Sequence, residues 1–414
     1  MPGQAESTVF RLLDQVTRGH LVIRDPAGRE KAFGKVGEAP RVNLLVHDQR
    51  FYSRLVRGAA LGLGESYMDG WWDEADGRIV DLMSIIYRND LEARVPGNLL
   101  LKLNLLCLRL RTIATVSRSR VNAEFHYDTS NEFFQLILDP LMTYSCGYQC
   151  DPGDTLEEMQ LQKYELISRK LDLQPGDRLL DIGCGWGGML RYAAKNYGAR
   201  GLGLTLSPEQ AEWARQRIQE DGLGDRLEIR LQDYREVEGE FDKVVSVGMF
   251  EHVGREYHAA YMRKVCNLLR TGGLGVLHTI GATGSTSPGP WLRKYIFPGT
   301  YLPGIGDFTG AAERAALKVV HLENLKPHYA ETARCWKENF HAHRDAITKL
   351  RGFGAERVLR KWDYFFQLLE GSFRFGDLQV YQMLFYKGKD WAVRRCLHFT
   401  DSLGADARPL DQMT

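Results

Sequence analysis

The sequence predicts an α/β protein with a parallel sheet and helical insertions, preceded by a smaller α+β unit. Two observations predict this class: short apolar runs alternate with amphipathic helical stretches, and this alternation continues through most of the chain after residue 121. Strands that alternate with helices form βαβ units, and both faces of the resulting parallel sheet are covered. The predicted strands lie at 178–182, 201–205, 227–231, 243–247 and 274–279, with two more near 317–322 and 378–386.

We divide the 414 residues into two predicted domains, 1–120 and 121–414. The length favours two domains, and 44% hydrophobic residues suffice for a full core. In the first domain we expect a helix over Phe10–Val16, a hairpin over Gly19–Phe33 and a strand at Val42–Val46.

Composition restricts the partners and the compartment. The net charge is +1, so no bulk electrostatic attraction to nucleic acid is predicted. Seven scattered cysteines, an odd number, indicate free thiols in a reducing compartment, and the N-terminus shows no signal-peptide core. We therefore expect a cytoplasmic protein.

The segment 94–120 combines apolar and basic residues and permits two interpretations. Charges interrupt its apolar run, so it is too polar to span a bilayer. A basic amphipathic segment can lie on an anionic membrane surface. It can equally be an interdomain helix with a solvated charged face. The arginines concerned are Arg109, Arg111, Arg118 and Arg120.

Two aromatic-rich segments also permit two interpretations each. Residues 61–72 form either a turn in the core or a substrate contact. The insertion from Gly281 to about Gly310 either roofs an apolar pocket or covers an edge of the sheet.

The most informative motif is the glycine-rich run after the first predicted strand of the second domain. Gly183, Gly185 and Gly187 alternate with other residues after the acidic strand residue Asp181. Glycine supplies the positive φ that so tight a turn needs, and it lets a ligand lie against the backbone. The spacing differs from the dinucleotide fingerprint. A glycine turn in an unrelated α/β protein is the alternative.

The ends of the next two strands favour one ligand. The second strand is followed by Thr205, Leu206 and Gln210, rather than by the acid that would hold an NAD ribose. The third is followed by Asp233 and Tyr234, an acid and an aromatic suited to the edge and face of adenine. This combination resembles the Rossmann-like class I methyltransferases that use S-adenosylmethionine (AdoMet).

Reactive side chains accompany the fourth and fifth strands. Because ligands bind outside the carboxyl ends of the strands in an open α/β sheet, we expect Glu251 and His278 at the mouth that holds AdoMet. A carboxylate and an imidazole can move protons as a pair there. Alternatively, Glu251 caps the following helix and His278 is a hydrogen-bonded core histidine.

Two cysteines that precede the predicted parallel sheet could be metal ligands. Cys146 and Cys150 are spaced like half of a zinc site, but no second pair of ligands follows at suitable spacing. We therefore predict no bound metal.

An ordered series of motifs resembles the cyclopropane-fatty-acyl-phospholipid synthases. The series extends from about residue 60 to about residue 390, which makes it far more specific than a glycine loop alone. The matching segments lie at 64–72, 126–128, 144–146, 181–188, 232–234, 247–254, 278–281 and 294–298, followed by Tyr329.

The resemblance implies a reaction and a set of residues. Members of this family transfer the AdoMet methyl group to a cis double bond in an acyl chain of a membrane phospholipid. A proton is then lost as the cyclopropane ring closes, and the family uses bound bicarbonate as the base. Carried over to this chain, bicarbonate would be held by Cys146, Glu251, His278, Tyr329 and the backbone of Ile280.

The resemblance also implies cofactor contacts and partners. The first domain resembles the family's lipid-binding domain, so the implied partners are the unsaturated phospholipid and the inner face of the membrane, bound peripherally. Whether the protein forms a homodimer is not determined by the resemblance. The implied AdoMet contacts are Tyr144, Ser145, Asp181, Gly183, Gly185, Gly187, Thr205, Leu206, Gln210, Asp233 and Tyr234.

Two alternatives to ring formation are retained. One is a fatty-acid methyltransferase that forms a methylene- or methyl-branched chain from the same carbocation. The other is a lipid-binding protein with a degenerate methyltransferase fold, against which the intact glycine loop argues.

Overall fold

The structure of the protein is a computed structural model that describes residues 2–94, 130–284, 286 and 288–389. Contacts divide these residues into two compact units. The first contains the described residues up to 94 together with Pro288–Pro298 and Trp336–Asp377, and the second contains the remainder. The predicted boundary near residue 120 lies outside the described residues, as do the four arginines of the basic segment.

The observed division differs from the predicted one in one respect. The chain from 121 to 414 is not a single unit, because two of its segments pack with the N-terminal residues. Lys294 donates a 2.6 Å hydrogen bond to Glu65, and Arg360 donates a 2.8 Å hydrogen bond to the carbonyl of Trp72. These partners are 229 and 288 positions apart, and local sequence patterns do not reveal such pairings.

The helices and strands follow one another in two described stretches. In the first 94 residues the order is α1 (Pro2–Leu13), β1 (His20–Arg24), β2 (Glu30–Gly34), β3 (Arg41–Val46), α2 (Arg50–Met68), β4 (Trp72–Glu74) and α3 (Ile79–Arg88). From residue 130 onward it is α4 (Asn131–Ile137), α5 (Leu156–Lys170), β5 (Arg178–Ile182), α6 (Gly188–Tyr197), β6 (Arg200–Thr205), α7 (Pro208–Glu220), β7 (Leu227–Leu231), β8 (Phe241–Val247), α8 (His258–Leu268), β9 (Leu269–Ala282), α9 (Pro290–Tyr295), α10 (Ile305–Arg314), β10 (Lys318–Asn324), α11 (Lys326–Ala342), α12 (Arg344–Thr348), α13 (Glu356–Phe375) and β11 (Leu378–Tyr386).

The first unit contains a four-stranded sheet in the order β2-β1-β3-β4. The predicted hairpin is confirmed as the antiparallel pair β1–β2, and the predicted strand is confirmed as β3, which runs parallel to β1. In the hairpin turn Asp25 accepts 2.9 Å hydrogen bonds from the backbone of Ala27 and Arg29, the local bonding that favours Asp in turns. The helix predicted over Phe10–Val16 is instead α1, which ends at Leu13.

The aromatic segment 61–72 comprises the end of α2, a turn over residues 69–71 and the first residue of β4. Trp72 is fully buried, and its indole N–H donates to the carbonyl of Leu63 at 3.1 Å. A Cβ on Gly64 would lie 2.4 Å from Cδ1 of Trp291, so only glycine lets that ring approach α2. Trp291 of the aromatic insertion is therefore part of the core of the first unit. A substrate contact by these residues stays a prediction.

The second unit contains a seven-stranded sheet in the order β10-β11-β9-β8-β5-β6-β7. The strands β5 to β9 are parallel, and β11 is antiparallel to both of its neighbours. The predicted α/β class with helical insertions is confirmed. The chain leaves β5 for β6 on one side and later returns to β8 on the other. Such a reversal of strand order opens a crevice at the carboxyl ends of the strands, where ligands bind.

The core of the second unit has two layers, one on each face of the sheet. Leu179 and Val276 belong to one layer, whereas their chain neighbours Leu180 and Leu277 belong to the other. Successive side chains of a strand point to opposite faces, so burial on both faces requires the continuous apolar runs seen in the sequence. Among the described helices of the chain, none is both long enough and apolar enough to cross a bilayer.

Candidate active site

The glycine loop after β5 leaves the strand with a backbone that only glycine adopts readily. The φ angles of Gly183, Gly185 and Gly187 are +85°, +54° and +81°. The N–H groups of Gly183 and Cys184 donate to the carbonyl of Leu204 at 3.0 and 2.9 Å, which ties the loop to β6. A Cβ on Gly185 would meet no atom within 4 Å, so open space borders the loop there. This cradle fits a cofactor that lies against the backbone.

The corner after β6 is held by side-chain hydrogen bonds. Thr205 donates through its hydroxyl to the amide oxygen of Gln210 at 2.8 Å and accepts from the backbone of Ser207 at 3.2 Å. Ser207 in turn accepts from the backbone N–H of Gln210, which caps α7. Thr205 and Gln210 are buried, while the intervening Leu206 is half-buried. The structure thus brings these three predicted residues to one corner of the crevice.

The corner after β7 pairs the predicted acid with an unpredicted arginine. Asp233 accepts hydrogen bonds from the backbone and the guanidinium Nε of Arg235 at 2.9 and 2.8 Å. The ring of Tyr234 packs edge-on against Tyr261, with centroids 5.1 Å apart. An acid and an aromatic therefore follow β7 as the sequence predicts, and the acid is paired with the guanidinium of Arg235.

A buried lysine that the sequence analysis missed holds the segment Tyr144-Ser145-Cys146. The ammonium of Lys163 donates to the hydroxyl of Ser145 at 2.9 Å and to the amide oxygen of Gln160 at 2.7 Å. The amide nitrogen of Gln160 donates to the carbonyl of Ser145, also at 2.9 Å. Tyr144 packs against Phe134, with ring centroids 5.1 Å apart. The orientation of this segment therefore depends on α5.

The charge of Lys163 also acts on Asp181, near the carboxyl end of β5. Burial raises the pKa of Asp181 to about 7, and the positive charge of Lys163 opposes this rise. Burial likewise lowers the pKa of Lys163 to about 7, opposed by the charges of Asp139, Cys146 and Asp181. In the sequence, Gln160, Lys163 and Lys170 are spaced three and seven apart and so share one face of a helix, but this spacing does not show that the face is buried.

Glu251 lies in a short 3-10 turn, Phe250–His252, directly after β8. Its carboxylate accepts a 2.8 Å hydrogen bond from the hydroxyl of Thr279 and lies 3.5 Å from the backbone nitrogen of Ile280. Burial raises the pKa of Glu251 to about 7. The carboxylate thus contacts β9, and α8 begins only at His258. These contacts favour a role at the strand ends over the capping alternative.

His278 lies on β9 beside the turn that carries Glu251. The N–H of Gly248 donates to the carbonyl of His278 at 2.9 Å, and ring nitrogen Nδ1 lies 3.3 Å from the amide nitrogen of Gln382. Burial, with Lys163 and Lys170 nearby, lowers the pKa of His278 to about 3, so the ring is neutral. The histidine is buried and hydrogen-bonded, as the core alternative also expects, but its strand position places it next to the crevice.

Cys146 and Tyr329 are connected to β11 and β9 through Leu325. The sulfur of Cys146 lies 3.8 Å from the carbonyl of Leu325, and the same carbonyl accepts from the backbone N–H of Tyr329 at 3.2 Å. Leu325 bonds to Val380, which is paired with Ile280. A continuous chain of contacts therefore links Cys146 and Tyr329 to Ile280 and hence to Glu251. Burial raises the pKa of the Cys146 thiol well above its usual range.

The two cysteines at 146 and 150 lie in different surroundings, since Cys146 is buried and Cys150 is exposed. Across residues 2–94, 130–284, 286 and 288–389, no group of three or more His, Cys, Asp or Glu side chains is arranged to hold a metal ion.

The sheet order, the glycine loop at the reversal of strand order and the acidic corners of the crevice define a class I AdoMet-dependent methyltransferase. The crystal structure of mycolic acid cyclopropane synthase CmaA1 complexed with SAH and CTAB has this fold. It is 32% identical to the chain, with a TM-score of 0.61, and the match covers 65% of this chain and 98% of that one.

Residues 115–383 match the family model described as mycolic acid cyclopropane synthetase, and the chain belongs to that family. It is 38% identical over 359 residues to the cyclopropane-fatty-acyl-phospholipid synthase of Escherichia coli (strain K12), which covers 86% of this chain and 91% of that protein. It is 36% identical over 408 residues to the tuberculostearic acid methyltransferase UfaA1 of Mycobacterium tuberculosis, covering 91% of each.

Proposed function

We propose that the protein transfers the methyl group of AdoMet to the cis double bond of unsaturated acyl chains in membrane phospholipids and forms cyclopropane fatty acids. The observation that carries the proposal is the buried carboxylate of Glu251, which faces the backbone N–H of Ile280 at the carboxyl edge of the sheet. The Escherichia coli relative, named for this product and for a phospholipid, supports the substrate class.

The reaction needs a dry site. An alkene is a weak nucleophile, and its attack on a methyl group leaves a carbocation that water would quench. Glu251 and His278 are each about 2% exposed, and Cys146 is completely buried. These residues therefore keep bulk water away from the carboxyl edge of β9, where the cation must survive until a proton leaves.

The donor set suits a small protonated oxyanion, and we include bicarbonate in the proposal. Bicarbonate, when bound, supplies the base that takes the proton. Glu251 can accept a hydrogen bond from its hydroxyl, while the N–H of Ile280, the phenol of Tyr329 and the imidazole of His278 can donate to its oxygens. Burial keeps the thiol of Cys146 protonated, so in this proposal Cys146 is no nucleophile.

A second candidate is a fatty-acid methyltransferase that makes a methylene- or methyl-branched acyl chain from the same carbocation. The UfaA1 relative, a tuberculostearic acid methyltransferase that matches 91% of this chain, favours it. The two candidates share every step up to the cation. Loss of a different proton gives a methylene-branched or an unsaturated methyl-branched chain, and a saturated methyl branch would need a separate hydride donor to reduce it.

The proposal also places the protein at the inner face of the membrane, bound peripherally, with the first unit contacting lipid. A phospholipid substrate requires a way to reach an acyl chain, and a basic amphipathic segment supplies attraction to anionic lipid. The arginines between 109 and 120 are the proposed contact residues. Assembly as a homodimer stays a prediction.

Lipid analysis of a bacterial host that lacks its own synthase tests the proposed function. Expression of the chain should add one CH₂ to unsaturated phospholipid acyl chains and remove the alkene, so that the product resists ozonolysis. A product that gains CH₂ but is still cleaved by ozone supports the branched-chain candidate. Unchanged acyl chains, with the protein expressed and AdoMet bound in calorimetry, would contradict both.

A further inference from the structure

A row of polar residues, of which Gln382 and His278 are buried and Glu323 is partly exposed, crosses three strands behind the active site. Glu323 on β10, Gln382 on β11 and His278 on β9 lie directly opposite one another in register. Directly opposed residues of neighbouring strands share one face of the sheet. Lys170, the last residue of α5, covers this row. Its ammonium donates to Oε2 of Glu323 and to Oε1 of Gln382, each at 2.5 Å.

Lys170 determines how the amide of Gln382 is oriented. An ammonium group has three donors and no acceptor, so the amide atom that faces it must be the carbonyl oxygen. Burial lowers the pKa of Lys170, but the adjacent Glu323 carboxylate opposes that shift and favours the charged form. The NH₂ group of Gln382 therefore points to the other end of the row, where Nδ1 of His278 lies 3.3 Å away.

The orientation of the Gln382 amide fixes the tautomer of the His278 ring. A neutral imidazole has one donor and one acceptor nitrogen, and the partner of one nitrogen sets the role of the other. Nδ1 faces an amide donor, so Nδ1 accepts and the proton lies on Nε2. Gln382 and the side chain of Lys170 have no exposed surface, so water does not compete for these bonds.

We infer that Lys170, acting through Gln382, holds His278 as the Nε2–H tautomer, so that His278 donates a hydrogen bond to an anion in the active site and does not act as the base. The second half of this statement rests on the proposed function, which places an anion beside His278. Lys170 and Gln382 are positioning residues, because neither touches the reacting groups.

The tautomer can be measured directly, without substrate or cofactor. Nitrogen-15 NMR of the full chain labelled in its histidines distinguishes a protonated from an unprotonated ring nitrogen, and His278→Gln assigns the signals. We expect Nε2 of His278 to be protonated in the natural chain. In Gln382→Glu the carboxylate pairs with Lys170 and can only accept, so the proton should move to Nδ1. The matched control is Gln379→Glu on the same strand, whose side chain faces Thr283.

Activity distinguishes failure of this inference from failure of the proposed function. Gln382→Glu should lose about 10- to 100-fold in kcat/KM, the usual effect of a residue that orients a ligand-binding histidine, with the Kd for AdoMet unchanged. Lys170→Arg retains the donor and should retain the Nε2–H tautomer. Should Gln382→Glu not fold, Lys170→Met, in which the amide is free to rotate, should give a mixture of tautomers.

Two results would overturn the inference: an Nδ1–H tautomer in the natural chain, or an unchanged tautomer in both Gln382→Glu and Lys170→Met. A tautomer that moves as expected while activity stays at the natural level would instead overturn the donation to an anion. That outcome counts against the bicarbonate part of the proposed function.

Discussion

The hydroxyl of Thr279 donates a 2.8 Å hydrogen bond to the carboxylate of Glu251, from β9 to the turn after β8. Burial raises the pKa of Glu251 to about 7, and this hydrogen bond opposes the rise because it favours the charged form. Burial of the turn after β8 and the hydroxyl of Thr279 on β9 therefore together determine the pH at which Glu251 ionises.

Thr279→Val should move the acid limb of the pH profile to higher pH. The proposed role of Glu251 needs both carboxylate oxygens as acceptors, and protonation turns one of them into a donor, so kcat/KM of the natural enzyme should fall as the pH drops through about 7. Valine removes the donor that favours the carboxylate, so the pKa of Glu251 rises further. The matched control is Thr309→Val, whose hydroxyl donates within α10. An acid limb at the same pH in both variants would contradict the assignment.

Glu251→Gln should retain AdoMet binding but lose about two to four orders of magnitude in turnover on unsaturated phospholipid vesicles. Glutamine still accepts from Thr279, but it carries no charge. Its stability should not fall: because the pKa of Glu251 is raised, ionisation destabilises the natural protein as the pH rises from about 4.5 to about 7. The free energy of unfolding at about pH 8 should therefore be equal or higher in the variant. Near-normal turnover of Glu251→Gln would show that Glu251 has no essential role in the reaction.

Gly183→Val should abolish AdoMet binding in calorimetry. A Cβ at this position would lie 2.9 Å from Cβ of Met249, and the φ of +85° is one that β-branched residues rarely adopt. The control is Gly222→Val, which has a similar φ of +67° but no atom within 4 Å of the new Cβ. If both variants fold and bind AdoMet equally well, the glycine loop is a structural turn only.

Lys163→Met should weaken AdoMet binding by about ten- to a hundredfold, since losing a charge-assisted hydrogen bond costs about 1.5–3 kcal/mol. The loss acts through Ser145, which the ammonium of Lys163 holds. Lys243→Met is the matched control, because this buried lysine donates to the carbonyls of Leu171 and Asp172 instead. Equal Kd values for AdoMet in the two variants would show that Ser145 does not contact the cofactor.

Changing Arg109, Arg111, Arg118 and Arg120 together to Gln should weaken binding to anionic vesicles by up to about two to three orders of magnitude, at about 1 kcal/mol per charge. The Kd for AdoMet should not change. Sedimentation with vesicles at low and high salt measures the effect, because screening weakens attraction between exposed charges. If vesicle binding changes neither with the four substitutions nor with the salt concentration, these arginines would be assigned to an interdomain helix instead.

The parallel sheet could be predicted because its strands are buried on both faces and therefore read as continuous apolar runs. Asp181, Thr205, Asp233, Glu251 and His278 could be predicted with it, since each belongs to the carboxyl end of a recognisable strand. Their placement follows from topology alone. The antiparallel hairpin of the first unit was equally visible, because a short polar turn separates its two strands.

Other features could not be predicted because they depend on contacts between distant residues. Lys163 and Lys170 lie on a helix of ordinary polar composition, where lysine usually marks the solvated face. Only the packing of α5 shows that both are buried. Similarly, Trp291 belongs to an insertion that the sequence predicts either to roof a pocket or to cover an edge of the sheet, whereas its burial against Gly64 makes it part of the first unit's core.

The three-segment composition of the first unit affects how the nascent chain matures. Residues up to 94 leave the ribosome first, yet α13, which packs against α2 and α3, ends only at Phe375. At about 5–20 residues per second, the roughly 280 intervening residues take about 15 to 60 seconds to synthesise. Throughout that interval the apolar faces that await α13 remain uncovered, a natural target for chaperones. The N-terminal unit therefore cannot finish folding until α13 has been synthesised, and a premature stop before Glu356 would remove a helix that this unit needs as much as it needs its N-terminal residues.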